Sequence, residues 1–180
     1  MNTLNIAKNL YTSDVGNYLR NLLPNSDNTG RKGYADELHA TLKLPNGRFG
    51  VANFMGPGTH IIERLERKDP PRTLSDKTAE LHDINYTLAT KQHQIRDADI
   101  EMIHDLNNIS KNKTDSNINI NLGRLAIKGK IALEDAHILN NQHFSGPLGA
   151  KHFSEYQYRL LTSNRRRLRE DFKAKKLNPH

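Results

Sequence analysis

A glycine turn followed by a helix with adjacent histidine and aspartate residues constrains the fold of this 180-residue chain more than any other feature. The turn is Gly56-Pro57-Gly58, and the pair is His82-Asp83. Glycines let several backbone carbonyls turn toward one point. Neighbouring residues of a helix lie about 100° apart, so His82 and Asp83 can both face one cleft. We therefore expect the turn and this helix to lie side by side.

The residue types at these positions predict a calcium site beside a histidine base. Calcium prefers hard oxygen ligands, which include carboxylates and backbone carbonyls. Asp83 supplies a carboxylate next to His82, and Tyr86 lies one helical turn further on. A carboxylate from a second, antiparallel helix could accept the other imidazole N–H and fix the histidine tautomer. Asp99 is the expected partner, with Asp97 as an alternative.

Composition excludes several classes of protein. The chain has no cysteine, so a disulfide framework, thiolate chemistry and cysteine-ligated metals are excluded. Hydrophobic residues make up 35% and charged residues 26%, which predicts a modest core and a polar surface. No apolar stretch approaches the roughly 18 residues that cross a bilayer, and the N-terminus does not have the pattern of a signal peptide. Any membrane contact is therefore expected at the surface.

Periodicity and turn residues predict a mostly α-helical chain with little β-structure. A hairpin is expected around Pro45-Asn46-Gly47, between runs 42–44 and 49–51. Four helices are expected. The first is capped by Ser75 or Asp76 and runs to about His93, and the second begins near Asp97. The third covers 122–140 and the fourth covers 154–177. The polar segment Asn107 to Asn121 is predicted to be a loop, and Gly123 and Gly129 are expected to weaken the third helix.

Charge and pattern divide the chain into three parts, an N-terminal arm at 1–30, a domain at 31–140 and a basic tail at 141–180. The net charge is +7, and seven positive side chains lie between Arg165 and Lys176, together with the acidic Glu170 and Asp171. Such a basic segment could bind nucleic acid or an anionic lipid surface.

The combined motif resembles the phospholipase A2 superfamily. Its calcium loop, aromatic-x-Gly-x-Gly, corresponds to Phe54-x-Gly56-x-Gly58, and its helix corresponds to Asp76-x-x-Ala79-x-x-His82-Asp83-x-x-Tyr86. The Gly-Pro-Gly turn, the short spacing and the absence of cysteine look like the phospholipase domain of parvovirus capsid proteins and of related viral elements. Glu37-Leu38-His39 and Arg64-Leu65 add to the likeness. The resemblance covers roughly residues 37–106.

The resemblance implies a phospholipase A2-like core of two antiparallel helices with a calcium loop, a third helix and a basic C-terminal helix. Ca²⁺ would be bound by the carbonyls of Phe54, Gly56 and Gly58 and by the carboxylate of Asp83. The implied catalytic residues are His82, which removes a proton from the water that attacks the sn-2 ester, Asp99, which orients His82, and Tyr86, which supports the carboxylate. Calcium and the Gly56 N–H would stabilise the oxyanion. Many relatives have Tyr at Phe54, where only the carbonyl is needed.

The viral likeness also implies a setting for the enzyme. It suggests a virion component that breaches a host membrane during entry, with the phospholipid surface and viral capsid proteins as partners and nucleic-acid contact through Arg165 to Lys176. Its expected localisation is the virion, and the host cytoplasm or nucleus during assembly. The alternative is a non-catalytic minor virion protein that binds capsid or genome through its arm and tail. A cellular, intracellular phospholipase is a third possibility.

Two other histidine patterns in the sequence suggest different sites. His82, His93 and His104 are spaced eleven residues apart, which could suggest zinc, but a break near Gln94 to Asp97 should separate them. His104-Asp105 repeats the His-Asp pair without a glycine turn or a following tyrosine, so a surface position is expected.

Overall fold

A computed structural model describes residues 37–136 and 153–174, which belong to one compact unit. These residues form a mostly α-helical fold with a small two-stranded sheet, as predicted. The elements in chain order are β1 (Thr41–Lys43), β2 (Phe49–Val51), α1 (Ile61–Glu66), α2 (Leu74–Leu88), α3 (Gln92–Asn112), α4 (Asn117–Asp135) and α5 (Glu155–Lys173). The predicted arm at 1–30 and the basic residues Lys175 and Lys176 lie outside the described residues, and the predicted domain limits stay a prediction.

The predicted hairpin is present and leads the chain into the glycine turn. β1 and β2 pair antiparallel, with Thr41 opposite Val51. Gly47 has a φ of +81° at the hairpin turn, a conformation that favours glycine. The segment before β1 then binds the glycine turn, because the Ala40 N–H donates to the Met55 carbonyl at 2.8 Å. The hairpin therefore fixes one side of the turn.

The helix predicted to run to His93 ends at Leu88, and the next one begins at Gln92 rather than near Asp97. The reason lies in the capping of α3, since the Gln94 side-chain oxygen accepts hydrogen bonds from the Thr90 and Lys91 N–H groups at 2.7 and 3.0 Å. The start of α2 also differs from the expectation. Thr73 caps it by accepting from the Asp76 N–H at 3.1 Å, in place of Ser75 or Asp76.

The prediction of a polar loop over 107–121 is wrong. α3 continues to Asn112 and α4 starts at Asn117, so the connection is short. Within this polar stretch Ile109 and Ile120 are buried in the core. Asn119 is fully buried as well, and its amide exchanges two 2.8 Å hydrogen bonds with the backbone of Lys43 in β1. A few inward-facing residues therefore stabilise helical structure at the end of α3 and the start of α4, although the composition of 107–121 is that of a polar loop.

Gly123 has a packing role beyond the predicted weakening of α4. A Cβ at this position would lie 3.0 Å from Leu106 Cδ1 and 3.3 Å from Met55 Cε. The absence of a side chain lets α4 approach both α3 and the residues of the glycine turn closely. This approach brings the inner face of α4 toward the site.

The described part of the basic segment forms α5, which packs on α1 and α2. Leu161 and Leu168 are fully buried in the core, and Lys77 of α2 forms a 2.8 Å ion pair with Asp171. None of the described helices is both long and apolar enough to cross a membrane.

Candidate active site

A buried carboxylate at the start of α2 holds the glycine turn in place. Asp76 is fully buried, and its Oδ1 accepts hydrogen bonds from the Phe54 and Met55 N–H groups at 2.8 and 2.9 Å. Its Oδ2 accepts from the Asn53 and Arg72 N–H groups at 3.0 and 2.9 Å. Hydrogen bonds to an ionised acceptor are stronger than neutral ones. The turn is therefore fixed to the same helix that carries His82.

The two glycines of the turn are required for different reasons. A Cβ on Gly56 would lie 1.9 Å from the Leu38 carbonyl oxygen, so no side chain fits there. Gly58 has a φ of +81°, which is a left-handed conformation. The Leu38 N–H also donates to the Pro57 carbonyl at 3.1 Å. The segment before β1 therefore holds the turn closely on one side.

Thr59, directly after the turn, marks the point on which the predicted calcium ligands converge. Its hydroxyl lies 3.2 Å from the Phe54 carbonyl oxygen and 3.1 Å from the Gly56 carbonyl oxygen. Burial raises the pKa of Asp83, and a hydrogen bond with this same hydroxyl opposes that rise. Two predicted carbonyl ligands and the predicted carboxylate ligand therefore lie around one side chain. Sequence reasoning did not assign a role to Thr59.

His82 lies between two carboxylates. Its Nε2 is 3.0 Å from Asp99 Oδ1 on α3, and its Nδ1 is 3.3 Å from Asp83 Oδ1. Tyr86 donates its hydroxyl to the same Asp99 oxygen, and its ring stacks at a tilt against the imidazole, with centroids 4.1 Å apart. Asp97, the alternative partner, is exposed. The structure thus brings together three residues predicted as catalytic and one predicted metal ligand.

Sequence reasoning missed Lys130, a buried cation on α4. Its Nζ lies 2.7 Å from Asp99 Oδ2, and it also pairs with Glu134 one turn further along α4. Lys130 falls on the same helix face as Gly123 and Ile127, which are both buried. A lysine in an apolar, inward-facing row was the signal that could have indicated it.

Burial and hydrogen bonding shift the pKa values of His82 and Asp99 in opposite directions. Burial lowers the pKa of His82, but hydrogen bonds to Asp83 and Asp99 outweigh it, and the net pKa lies above the ordinary value. Burial raises the pKa of Asp99, yet hydrogen bonds from His82, Lys130 and Tyr86 hold that pKa below its usual range. Asp99 is therefore an ionised partner for a basic imidazole.

The surroundings of Asp83 favour its ionised form less than the surroundings of Asp99 do. Burial raises its pKa above the ordinary value, against the opposing effects of His82 and Thr59. Its Oδ2 is buried without a hydrogen-bond partner among the described residues. A buried carboxylate oxygen without a donor is costly unless a cation compensates it. The unsatisfied oxygen and the converging carbonyls of Phe54 and Gly56 fit a hard cation such as calcium.

The two histidines considered together with His82 for zinc do not join this site. His93 and His104 are exposed, and His104 lies 3.3 Å from its neighbour Asp105, as expected for a surface pair. Within residues 37–136 and 153–174, no group of three or more His, Asp or Glu side chains is placed to hold a metal.

One comparison with known proteins covers the segment that contains this site. Residues 44–130 match the family model described as "Phospholipase A2-like domain". This match confirms the predicted resemblance to the phospholipase A2 superfamily, and it supports a phospholipase-like function at the family level. The match spans the glycine turn, α2 and α3, and ends at Lys130. Comparisons with curated proteins and with solved structures find no match.

Proposed function

We propose that this chain is a calcium-dependent phospholipase A2 that hydrolyses the sn-2 ester of glycerophospholipids. The arrangement of His82 carries the proposal, since one ring nitrogen is held by Asp99 while the other faces Asp83 beside the glycine turn. The match to a phospholipase A2-like domain supports it independently.

The hydrogen bond to Asp99 determines which nitrogen of His82 acts as the base. A neutral imidazole donates from one nitrogen and accepts at the other. Asp99 is ionised and can only accept, so it favours the proton on Nε2. Nδ1 then carries the lone pair, and it can remove a proton from an attacking water that takes the place of its 3.3 Å contact with Asp83. The imidazolium formed in that step is stabilised by Asp99.

The carbonyls of Phe54, Gly56 and Gly58 and the carboxylate of Asp83 would hold calcium. When bound, the ion supplies positive charge for the negative charge that develops on the ester carbonyl oxygen. Asp76 keeps the carbonyls oriented through the four backbone N–H groups that it accepts. Bound calcium would compensate the charge of Asp83 and so would offset the cost of its buried oxygen, which has no hydrogen-bond partner among the described residues.

The test is fatty-acid release from phosphatidylcholine vesicles, with calcium and with a chelator, by the wild-type chain, His82→Gln and His104→Gln. His104 is a matched control because it is also followed by an aspartate, but it is exposed. We expect release by wild type and His104→Gln that stops with chelator, and release near background by His82→Gln. Equal release by wild type and His82→Gln would show that the catalytic assignment is wrong.

The biological setting is a second part of the proposal. We infer a virion component that acts on a host membrane during entry, supported by the Gly-Pro-Gly turn and the lack of cysteine. Particles that carry His82→Gln should assemble and attach normally but fail to release their content past the host membrane. Normal delivery by those particles would contradict this setting.

Binding to an anionic polymer such as packaged DNA is a second candidate function, compatible with the first. The supporting observation is a face of α5 on which five basic side chains lie together with one acidic side chain, Glu170. The basic side chains are Arg159, Arg165, Arg166, Arg169 and Lys173. A duplex DNA of random sequence should bind with an affinity that falls steeply as salt rises. Replacing Arg165 and Arg166 by glutamine should weaken that binding while fatty-acid release persists. Binding that is unchanged by this double substitution would exclude this face of α5 as the DNA-binding surface.

A further inference from the structure

A third helix reaches the pair of helices that carries the proposed base. α4 contributes Lys130, whose Nζ lies 2.7 Å from Asp99 Oδ2. We propose that Lys130 is a positioning residue, which fixes the Asp99 carboxylate so that it holds the His82 imidazole in its productive orientation. This inference rests on the proposed function, because it gives Lys130 a role in that same site.

The two oxygens of Asp99 have separate partners. Oδ1 interacts with His82 Nε2 at 3.0 Å and accepts the Tyr86 hydroxyl, while Oδ2 accepts from Lys130. A carboxylate bound through one oxygen alone can rotate about its Cβ–Cγ bond, since that torsion is broad. The Lys130 contact on the other oxygen restricts that rotation. Removing it would loosen the orientation of the imidazole while leaving its hydrogen-bonding groups in place.

The burial of these groups strengthens the constraint. Asp99 is fully buried, and Lys130 and Glu134 are each 9% exposed. Lys130 lies between the two carboxylates and also stands 5.2 Å from the centre of the Tyr86 ring. Arg96 of α3 contacts Glu134 at 3.8 Å and pairs with the exposed Asp135 at 2.5 Å. A buried ammonium between two carboxylates has little freedom to move, so it can hold Asp99 in one geometry.

A purely structural ion pair between α3 and α4 is the competing explanation. Such a pair would affect the free energy of unfolding, and it would affect turnover only through loss of folded protein. A positioning residue instead affects the folded protein, where it lowers the turnover number and changes the hydrogen bond between His82 and Asp99. The two explanations therefore differ in what the folded variant does.

The first measurement uses Lys130→Met, with Lys128→Met as the matched control on the exposed face of the same helix. Each full-length variant is assayed on phosphatidylcholine vesicles at saturating calcium, and calcium affinity is measured by titration calorimetry. We expect Lys130→Met to lower kcat by about 10- to 100-fold, as changes of supporting residues commonly do. We expect KM and the calcium Kd to stay within about twofold, because neither the vesicle surface nor the calcium ligands are altered.

The second measurement follows the imidazole N–H proton itself by NMR. His82→Gln assigns the low-field proton shared by His82 Nε2 and Asp99. We expect this resonance to move upfield and broaden in Lys130→Met and to stay unchanged in Lys128→Met. Lys130→Arg keeps a charged donor and should restore both the resonance and most of kcat. It also keeps the proposal testable if Lys130→Met does not fold.

The outcomes separate this inference from the proposed function. Folded Lys130→Met with wild-type kcat and an unchanged imidazole resonance would overturn the positioning role, as would Lys130→Arg that loses as much kcat as Lys130→Met. A wild-type chain that releases no fatty acid would refute the proposed function, and the NMR comparison would still decide whether Lys130 positions His82.

Discussion

Glu80 offers a sharp test of how α5 is attached to the domain. Its side chain is 2% exposed beneath α5, where Oε1 lies 3.2 Å from a guanidinium nitrogen of Arg167. Its Oε2 is buried with no hydrogen-bond partner among the described residues. Burial raises the pKa of Glu80 from 4.5 to about 7, against the opposing charges of Arg167 and Lys77. The contact with Arg167 is therefore too weak to compensate for the buried charge.

The sign and size of the effect follow from this raised pKa. An acid that is harder to ionise in the folded state binds its proton more tightly there than in the unfolded chain. The stability contributed by that proton is fully present below pH 4.5 and is lost as the pH rises to about 7. Each pKa unit corresponds to about 1.4 kcal/mol, so the loss amounts to about 3 kcal/mol. Glu80→Gln cannot ionise and should not show this loss.

The assay is urea unfolding of wild type and Glu80→Gln at a series of pH values, compared as a difference at each pH. This difference removes the titration of all groups that the two chains share. The variant should gain stability relative to wild type as the pH rises from about 4.5 to 7, and the gain should then level off. Glu170→Gln is the control, because Glu170 is an exposed acid on α5 itself. Parallel pH curves for wild type and Glu80→Gln would refute the reasoning.

The remaining predictions concern the calcium loop and the base. Thr59→Val should raise the calcium Kd about fivefold, which is the equivalent of one lost hydrogen bond, while Thr59→Ser should not. Calorimetry measures the Kd, and an unchanged value in the valine variant would contradict the role of the hydroxyl. Gly56→Ala should abolish calcium binding because its Cβ would meet the Leu38 carbonyl at 1.9 Å, and calcium binding at wild-type affinity would contradict that packing. Because hydrogen bonds to Asp83 and Asp99 raise the pKa of His82, its ring protons should titrate with a midpoint above 6.5 in the calcium-free chain. NMR measures this midpoint, and a value below 6.5 would contradict the raised pKa of His82.

The parts of the site that local sequence patterns predicted consist of residues that lie close together in the sequence. The glycine turn depends on Gly56 and Gly58, and the adjacency of His82 and Asp83 follows from one helix. Asp99 was predicted through the resemblance, and the structure places it against His82 at 3.0 Å. Helix periodicity and turn residues were sufficient for the turn and the His82-Asp83 pair, whereas Asp99 required the resemblance.

The contacts that complete the site come from tertiary packing and could not be predicted in the same way. Asp76 was expected as a cap of α2, but its carboxylate accepts backbone N–H groups more than twenty residues earlier in the chain. Lys130 reaches Asp99 from 31 residues away. The local sequence pattern does not predict these long-range contacts, because each contact depends on how closely two elements approach one another.

The helix over the polar stretch was missed for a related reason. Asn, Lys and Ser dominate residues 107–121, and these residues are ordinarily typical of loops. Three inward-facing residues of this stretch, Ile109, Asn119 and Ile120, are almost completely buried. Burial of those few side chains outweighs the low helix propensity of their neighbours.

The central claim is that His82, Asp99 and the calcium loop form one hydrolytic site for the sn-2 ester. Its most direct test uses phosphatidylcholine with different acyl chains at sn-1 and sn-2, incubated with the full chain and analysed by mass spectrometry. We expect calcium-dependent release of the sn-2 chain and accumulation of the lysolipid that keeps the sn-1 chain, both absent with His82→Gln. Release of the sn-1 chain instead, or release that persists with a chelator or with His82→Gln, would contradict it.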